Sequence, residues 1–346
     1  MNSSTPDGSR FHAFLQFLAA VVYFFLAWTL AHGWALAMAR QQWVQEQWTP
    51  LITQTILVFF LLLGYAGMGL RFNRQTHPFS EQGFPLRPDW QREAGLGLAT
   101  GWALVVVCVL PLTVIGGIAI VLVLDSSAWS WLVLDAVFFA LATLAEEIAF
   151  RGYGFQRLVR AVGPLGATLG YAVFYAIVQS FLPGANDASF AVAIALGLLL
   201  ATAYLRTRAL WMSWGLNFGW KASRALVFGL AMSGISNRSP IVQGTPMGPF
   251  WLTGGGFGLD ASWWALLALL AALPVVYRLT RELDYRYNTP EITPGGIAVD
   301  LEAARHRQET VPGQPAPAEP ASAASGLIQI RLAAKPPETE RTPPLD

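Results

Sequence analysis

The chain has 346 residues, of which 54% are hydrophobic and only 12% are charged, and its formal net charge is +1. This composition predicts repeated apolar segments long enough to cross a membrane, and hence an all-α, polytopic membrane helix bundle. The near-neutral charge, without a basic stripe, excludes a nucleic-acid-binding protein. The single cysteine, Cys108, excludes an intramolecular disulfide and a cysteine-based zinc cage.

Apolar segments in chain order predict about eight transmembrane helices. The first is interpreted as a retained span, because its apolar run far exceeds the roughly 7 to 15 residues usual for a signal peptide. A signal peptide ending near residues 35–37 is the alternative. In the third span, Gly97 and Gly101 are spaced for close contact between helices, and Pro111 marks a potential break. The predicted spans cover residues 14–38, 51–70, 95–124, 129–150, 163–182, 188–205, 211–233 and 261–277.

The spans divide the chain into three regions. Residues 1–93 form an N-terminal two-span region with a polar loop, residues 94–284 form the membrane core, and residues 285–346 form a Pro/Ala-rich tail. The tail has no apolar face and is predicted to be disordered, and its short apolar island at 327–330 leaves open a protein partner. Within the core, the Gly- and Pro-rich stretch 234–259 is predicted to be a mobile cap.

Arginines are concentrated in the loops that follow even-numbered spans. Because cytoplasmic loops contain the excess of Lys and Arg, this pattern predicts an integral, multi-pass protein of the plasma (inner) membrane with both termini in the cytoplasm. The even-numbered loops contain Arg71, Arg74, Arg87, Arg92, Arg157, Arg160, Arg206, Arg208, Arg278, Arg281 and Arg286, whereas the odd-numbered loops contain only Arg40 and Arg238.

Two adjacent carboxylates and an arginine lie at the end of the fourth apolar segment, in the stretch AEEIAFRG. Charge inside hydrocarbon costs at least a few kcal/mol, so it indicates a functional site with a nearby partner. On a helix, Glu147 and Arg151 are four residues apart and can pair along one face, while Glu146 points about 100° around the axis toward neighbouring helices. A structural salt-bridge node is the alternative interpretation.

Polar side chains in two later spans are the candidates that meet Glu146. Gln179 lies late in the fifth span, and the seventh span contains Asn217, Lys221 and Arg224. Asn217 and Lys221 are four residues apart and share one helix face. The alternatives are that the two amides only join helices by hydrogen bonds, and that Lys221 and Arg224 extend to the membrane interface.

These residues resemble the CPBP family of intramembrane proteases, which includes CAAX prenyl endopeptidases and bacteriocin-processing or immunity proteins. The resemblance covers about residues 85–230 and keeps the order of the family's three motifs. The first motif, EExxFRG, is similar to Glu146, Glu147, Phe150, Arg151 and Gly152; the second is similar to Tyr175 through Gln179; the third is similar to Leu210-Trp211 leading into Asn217 and Lys221.

The chain departs from the family at the side chains that the resemblance assigns to catalysis. Both motif histidines are replaced, by Gln179 and Asn217, and the motif asparagine is replaced by Lys221. Because zinc prefers imidazole or thiolate ligands, the family's divalent metal is not expected here, nor is any other cofactor.

Two functions follow from the resemblance. The first is a CAAX-protease-like intramembrane endopeptidase that acts on a membrane-embedded or lipidated peptide. Glu146 would activate water, and Glu147 and Arg151 would form the orienting pair. Gln179 and Asn217 would donate hydrogen bonds to the developing oxyanion. The second is a catalytically inactive membrane scaffold or bacteriocin-immunity-type protein, in which Lys221 neutralises the buried glutamates. The lipid bilayer is the expected environment in both.

Overall fold

The structure, a computed structural model, describes residues 6–123, 128–232, 241–281 and 283. The predicted tail at 285–346 lies outside these residues. Helices predominate in the described part, because long apolar runs in a membrane must satisfy their backbone hydrogen bonds internally. The helices are α1 (Pro6–Arg40), α2 (Thr49–Asn73), the single turn α3 (Pro78–Glu81), α4 (Trp90–Val114), α5 (Ala128–Arg151), α6 (Tyr153–Gln179), α7 (Asp187–Thr207), α8 (Leu210–Ala222) with a π-helical turn (Ser223–Val227), the single turn α9 (Phe250–Thr253) and α10 (Trp263–Leu279).

Within the described residues, four helical segments are long and apolar enough to cross a membrane. They are Ser9–Arg40, Glu46–Asn73, α4 and α7, whose mean hydropathies lie between 1.9 and 2.1, and α10 is a shorter apolar helix. The predicted all-α membrane helix bundle is confirmed. The number of eight spans and the cytoplasmic position of both termini stay predictions.

A two-stranded sheet replaces the end of the predicted third span. Helix α4 ends at Val114, and strand β1 (Ile118–Leu122) pairs antiparallel with strand β2 (Val242–Pro246). Helix α4 thus ends well before residue 124, the predicted end of the third span, and close to the potential break at Pro111. Gly116 adopts a φ of 76°, a conformation that ends a helix. Strand β2 lies inside the stretch that was predicted to be an irregular cap.

Helices α4 and α8 pack backbone to backbone through two pairs of glycines. A Cβ atom at Gly97 or Gly101 would overlap the backbone oxygen of Met212 or Leu216, and one at Gly215 or Gly219 would overlap the backbone of α4. The predicted close contact at Gly97 and Gly101 is therefore present, and α8 supplies the matching pair. Small residues of this spacing let membrane helices approach without intervening side chains, which fixes the position of α8.

Helix α6 is kinked at Gly163, whose φ of 82° and ψ of 168° are not helical, directly before Pro164. The kink separates an N-terminal segment, which follows α5 after Gly152, from a C-terminal segment that contains Tyr175 and Gln179. Tyr175 and Gln179 line the same small cavity as Lys221 of α8.

Candidate functional site

Glu147 and Arg151 form a buried ion pair on one face of α5. Their side chains are 0% and 3% exposed, and Arg151 Nη1 donates to Glu147 Oε1 over 3.0 Å. The same carboxylate oxygen accepts a hydrogen bond of 2.9 Å from Asn217 Nδ2 of α8. Glu147 is thus neutralised within its own helix and joined to the next one.

Glu146, one residue earlier, meets the same face of α8. Its Oε1 forms an ion pair with Lys221 Nζ, and its Oε2 accepts from Asn217 Nδ2 over 3.1 Å. The side chain of Glu146 is 26% exposed and that of Lys221 is 9% exposed. Lys221 therefore points into the bundle and not toward the membrane interface.

Asn217 bridges the two carboxylates, because its amide nitrogen donates to both Glu146 and Glu147. The cluster contains two carboxylates and two cations, so its formal charge is balanced. Another contact holds α8 against α5 in this register: Trp214 Nε1 donates to the backbone oxygen of Ala140 over 3.0 Å. The close approach of α8 to α4 supports the arrangement from the opposite side.

Two oxygen atoms in this cluster are buried without a hydrogen-bond partner among the described residues, namely Glu147 Oε2 and Asn217 Oδ1. Buried polar atoms in membrane bundles are normally paired with protein or with ordered water. Both atoms are acceptors, so the cluster can accept further hydrogen bonds from water or from a ligand N–H.

Gln179 lies one step away from the carboxylates. Its Nε2 donates to Tyr175 Oη over 2.8 Å, and the Arg151 guanidinium lies 5.6 Å from the centre of the Tyr175 ring. The structure therefore connects Gln179 to the cluster through Tyr175 and not through direct contact with Glu146. The other five of the six predicted site residues are joined by direct hydrogen bonds and ion pairs into one connected cluster.

A small cavity of about 20 Å³ lies between Gln179 and Lys221. This volume is enough for about one water molecule. Four segments supply its lining: α6, the N-terminal half of α7, α8 and the loop before α10. The lining includes Tyr175, Gln179, Ser189, Lys221, Phe257 and Asp260.

Sequence reasoning missed Asp260, which closes the far side of the cavity. Its Oδ1 accepts from Arg224 Nη1 over 2.5 Å, and the Arg224 side chain is 0% exposed while that of Asp260 is 15% exposed. Arg224 also packs over the Trp220 ring, 4.5 Å from its centre. The only signal in the sequence was an isolated acidic residue in a glycine-rich loop directly before an apolar helix.

The donor set does not fit a divalent metal. Asn217 and Gln179 direct amide N–H groups at Glu146, Glu147 and Tyr175, and the ammonium of Lys221 occupies the oxygen of Glu146 that a cation would need. Among the described residues, no three His, Cys, Asp or Glu side chains come together in a way that could hold a metal ion. Amides and an ammonium make a poor and unselective ligand set.

A comparison with known protein families matched the middle part of the chain. Residues 127–223 match the family model described as Type II CAAX prenyl endopeptidase Rce1-like. The matched segment contains all six predicted site residues, from Glu146 to Lys221. No curated protein and no solved structure matched the chain.

Proposed function

Because residues 127–223 match the family model of Type II CAAX prenyl endopeptidase Rce1-like proteins, we propose that this chain is a CAAX-protease-like membrane protein that binds a membrane-embedded or lipidated peptide without hydrolysing it. The observation that supports this function is the ion pair between Lys221 and Glu146. It occupies the carboxylate that family resemblance assigns to water activation.

A general base must present a free lone pair to a water molecule that also faces the scissile bond. In this site each oxygen of Glu146 already accepts a donor, one from Lys221 and one from Asn217. A water in the cavity would face Lys221, which as an ammonium is a donor and cannot accept a proton. The site is therefore better suited to hold polar atoms of a ligand than to activate water.

The cavity offers the pattern of a ligand site, with a few polar groups in an apolar lining. Gln179, Ser189, Lys221 and Asp260 are among its polar groups, and Val192, Leu196 and Phe257 are among its apolar ones. At about 20 Å³ the cavity is far smaller than a peptide, so ligand entry requires the loop with Phe257 and Asp260 to move away.

A second candidate function is slow hydrolysis with Glu146 as the water-activating base. The 26% exposure of its side chain favours this reading, because a partly exposed carboxylate keeps some lone pairs accessible. Glu147 and Arg151 would then orient Glu146, and Gln179 and Asn217 would donate hydrogen bonds to the developing oxyanion.

We place the protein as a multi-pass plasma (inner) membrane protein with both termini cytoplasmic. Contacts between the arginine-containing loops support a common side for them: Arg87 Nη1 donates to the backbone oxygen of Thr207 over 3.2 Å, and Arg206 Nε donates to Thr280 Oγ1 over 3.4 Å. The positive-inside rule assigns this side to the cytoplasm.

The two functions are separated with the purified full-length protein in detergent and a quenched fluorogenic peptide that ends in a farnesylated cysteine motif. Anisotropy measures binding and dequenching measures cleavage, for the wild type, Glu146→Gln and the control Thr55→Ala, whose side chain is exposed on α2. Binding without turnover in all three supports the proposal.

Cleavage by the wild type and by Thr55→Ala that disappears in Glu146→Gln would establish the second candidate. Absence of both binding and cleavage would overturn both.

A further inference from the structure

The N-terminal segment of α6 contains a buried cation that the carboxylate cluster does not use. Arg157 is 1% exposed, and its Nε and Nη2 atoms are buried without a hydrogen-bond partner among the described residues. Its guanidinium stacks on the Tyr153 ring at 5.1 Å. A buried arginine is normally paired with an anion, because desolvation of an unpaired charge is strongly unfavourable.

The protein groups around Arg157 do not balance its charge. Arg160 lies one turn further along α6, where it is exposed and repels Arg157, and the carboxylate of Glu81 attracts it less strongly. Burial lowers the pKa of Arg157 to about 10, so the group is still a cation at neutral pH. Arg208 is a further positive charge in this region, because both Arg208 and Arg157 lie close enough to Tyr204 to interact electrostatically with its hydroxyl group.

A second buried polar group without a hydrogen-bond partner in the described part of the chain follows Glu81 directly in the sequence. Gln156 Nε2 donates to the backbone oxygen of Glu81 over 2.5 Å and to Tyr204 Oη over 2.9 Å, which joins α3, α6 and α7. Arg157 follows Gln156 in the chain, and Gln82 follows Glu81. Gln82 is 1% exposed, and neither its amide nitrogen nor its amide oxygen has a hydrogen-bond partner in the described part of the chain.

We propose that Arg157 and its neighbours form a binding site for a phosphate group, taken either from the headgroup of an anionic phospholipid or from a phosphate-bearing solute. The planar guanidinium matches phosphate oxygens through paired N–H donors. Gln82 supplies a further amide donor, and Arg160 and Arg208 supply long-range attraction at the surface.

The position of the site suits such a ligand. It lies where the arginine-containing ends of the helices meet, and basic pockets between membrane helices bind lipid headgroups. Helix α3 is a single turn, Pro78–Glu81, and the Gln156–Glu81 hydrogen bond joins it to α6 beside Arg157. Its displacement requires the loss of few backbone bonds, which gives a phosphate group access to Arg157.

The test uses the full-length protein in a neutral detergent and follows its thermal unfolding. The probes are dihexanoyl phosphatidylglycerol, inorganic phosphate and, as a phosphate-free control, dihexanoylglycerol. A saturable rise in Tm with phosphatidylglycerol alone identifies a lipid headgroup site, and a rise with inorganic phosphate as well identifies a general phosphate site. No rise with either phosphate probe overturns the proposal.

Variants show whether Arg157 is responsible. Arg157→Met should abolish the rise in Tm and should leave the Tm without probe equal to or higher than that of the wild type, because it removes a buried unpaired charge. The matched control Arg92→Met, at an exposed arginine of α4, should retain the rise. An unchanged rise in Arg157→Met would contradict the assignment.

Should Arg157→Met not fold, Arg157→Lys provides the second measurement. It keeps the charge but loses the paired donors, so we expect the Kd for the effective probe to increase about tenfold. An unchanged Kd in Arg157→Lys would overturn the role of the guanidinium.

Discussion

Lys221 of α8 forms an ion pair with Glu146 of α5, although the two residues are 75 positions apart in the chain. The pair joins the two helices at the point where the family resemblance places catalytic chemistry. The ammonium of Lys221 contacts Oε1 of Glu146 and balances its charge. A variant without Lys221 therefore shows whether this ion pair is needed for the stability of the fold.

We expect Lys221→Met to destabilise the protein by about 1–3 kcal/mol, because it leaves Glu146 without its cation in a partly buried position. The double variant Glu146→Gln/Lys221→Met should recover most of that loss, since it removes both charges together. Thermal unfolding of the four proteins of this cycle measures the coupling. An unchanged Tm in Lys221→Met would mean that Lys221 contributes no neutralisation.

Asn217→Asp should be more damaging than its small change in shape suggests. The substitution replaces the N–H group that bridges Glu146 and Glu147 by a third carboxylate, so repulsion replaces two hydrogen bonds. We expect a loss of about 3 kcal/mol or more in unfolding free energy. Asn186→Asp, at the cap of α7, is the matched control and should remain within about 0.5 kcal/mol of the wild type. Equal stability of both variants would contradict the bridging role of Asn217.

Asp260→Asn should loosen the loop that closes the cavity. It removes the carboxylate that binds the fully buried guanidinium of Arg224, so the loop loses a charge-assisted contact. With Phe257→Cys as a reporter in a background where Cys108 is replaced by Ala, we expect maleimide labelling to be about tenfold faster in Asp260→Asn, in line with a change of about 1.4 kcal/mol in loop opening. Asp187→Asn, exposed at the start of α7, should leave the rate unchanged. Equal labelling rates in all proteins would show that the Arg224–Asp260 pair does not hold the loop.

Gly101→Ala should destabilise the protein, whereas Gly95→Ala in the same helix should not. A Cβ at Gly101 overlaps the backbone of α8, while nothing lies within 4 Å of a Cβ at Gly95. We expect a loss of about 1–3 kcal/mol for Gly101→Ala from overpacking, and a gain of up to about 1 kcal/mol for Gly95→Ala from helix propensity. Thermal unfolding in detergent measures both. Equal Tm values would show that α4 and α8 have room to separate.

The all-α membrane bundle and the grouping of polar side chains on α5 and α8 could be predicted from the sequence, because apolar run length and charges within such runs are strong local signals. The pairing of Glu147 with Arg151 also needed only helical spacing. The strand Ile118–Leu122 was mistaken for part of a span, since a short apolar run has no periodicity that separates strand from helix. Its partner strand is more than a hundred residues away, and no local pattern indicates such a pairing.

Asp260 and Arg157 escaped prediction for a different physical reason. Arg224 and Asp260 are 36 residues apart and lie on different segments, so their contact depends on how a glycine-rich loop returns over the helices. Arg157 follows a predicted span end, where an arginine is ordinarily expected in the headgroup region. Its burial results from the way α3 and α7 close over α6, which only tertiary packing determines.

The interlocked glycines of α4 and α8 also determine which parts of the molecule can change position. The backbones of α4 and α8 are in direct contact, with no side chains between them. We therefore expect Asn217 and Lys221 of α8 to move only together with α4. If a ligand binds at this site, we therefore expect the moving parts to be α5, the segment of α6 after its kink, or the loop with Phe257 and Asp260. The α4–α8 pair is therefore the reference against which movements of the other segments can be measured.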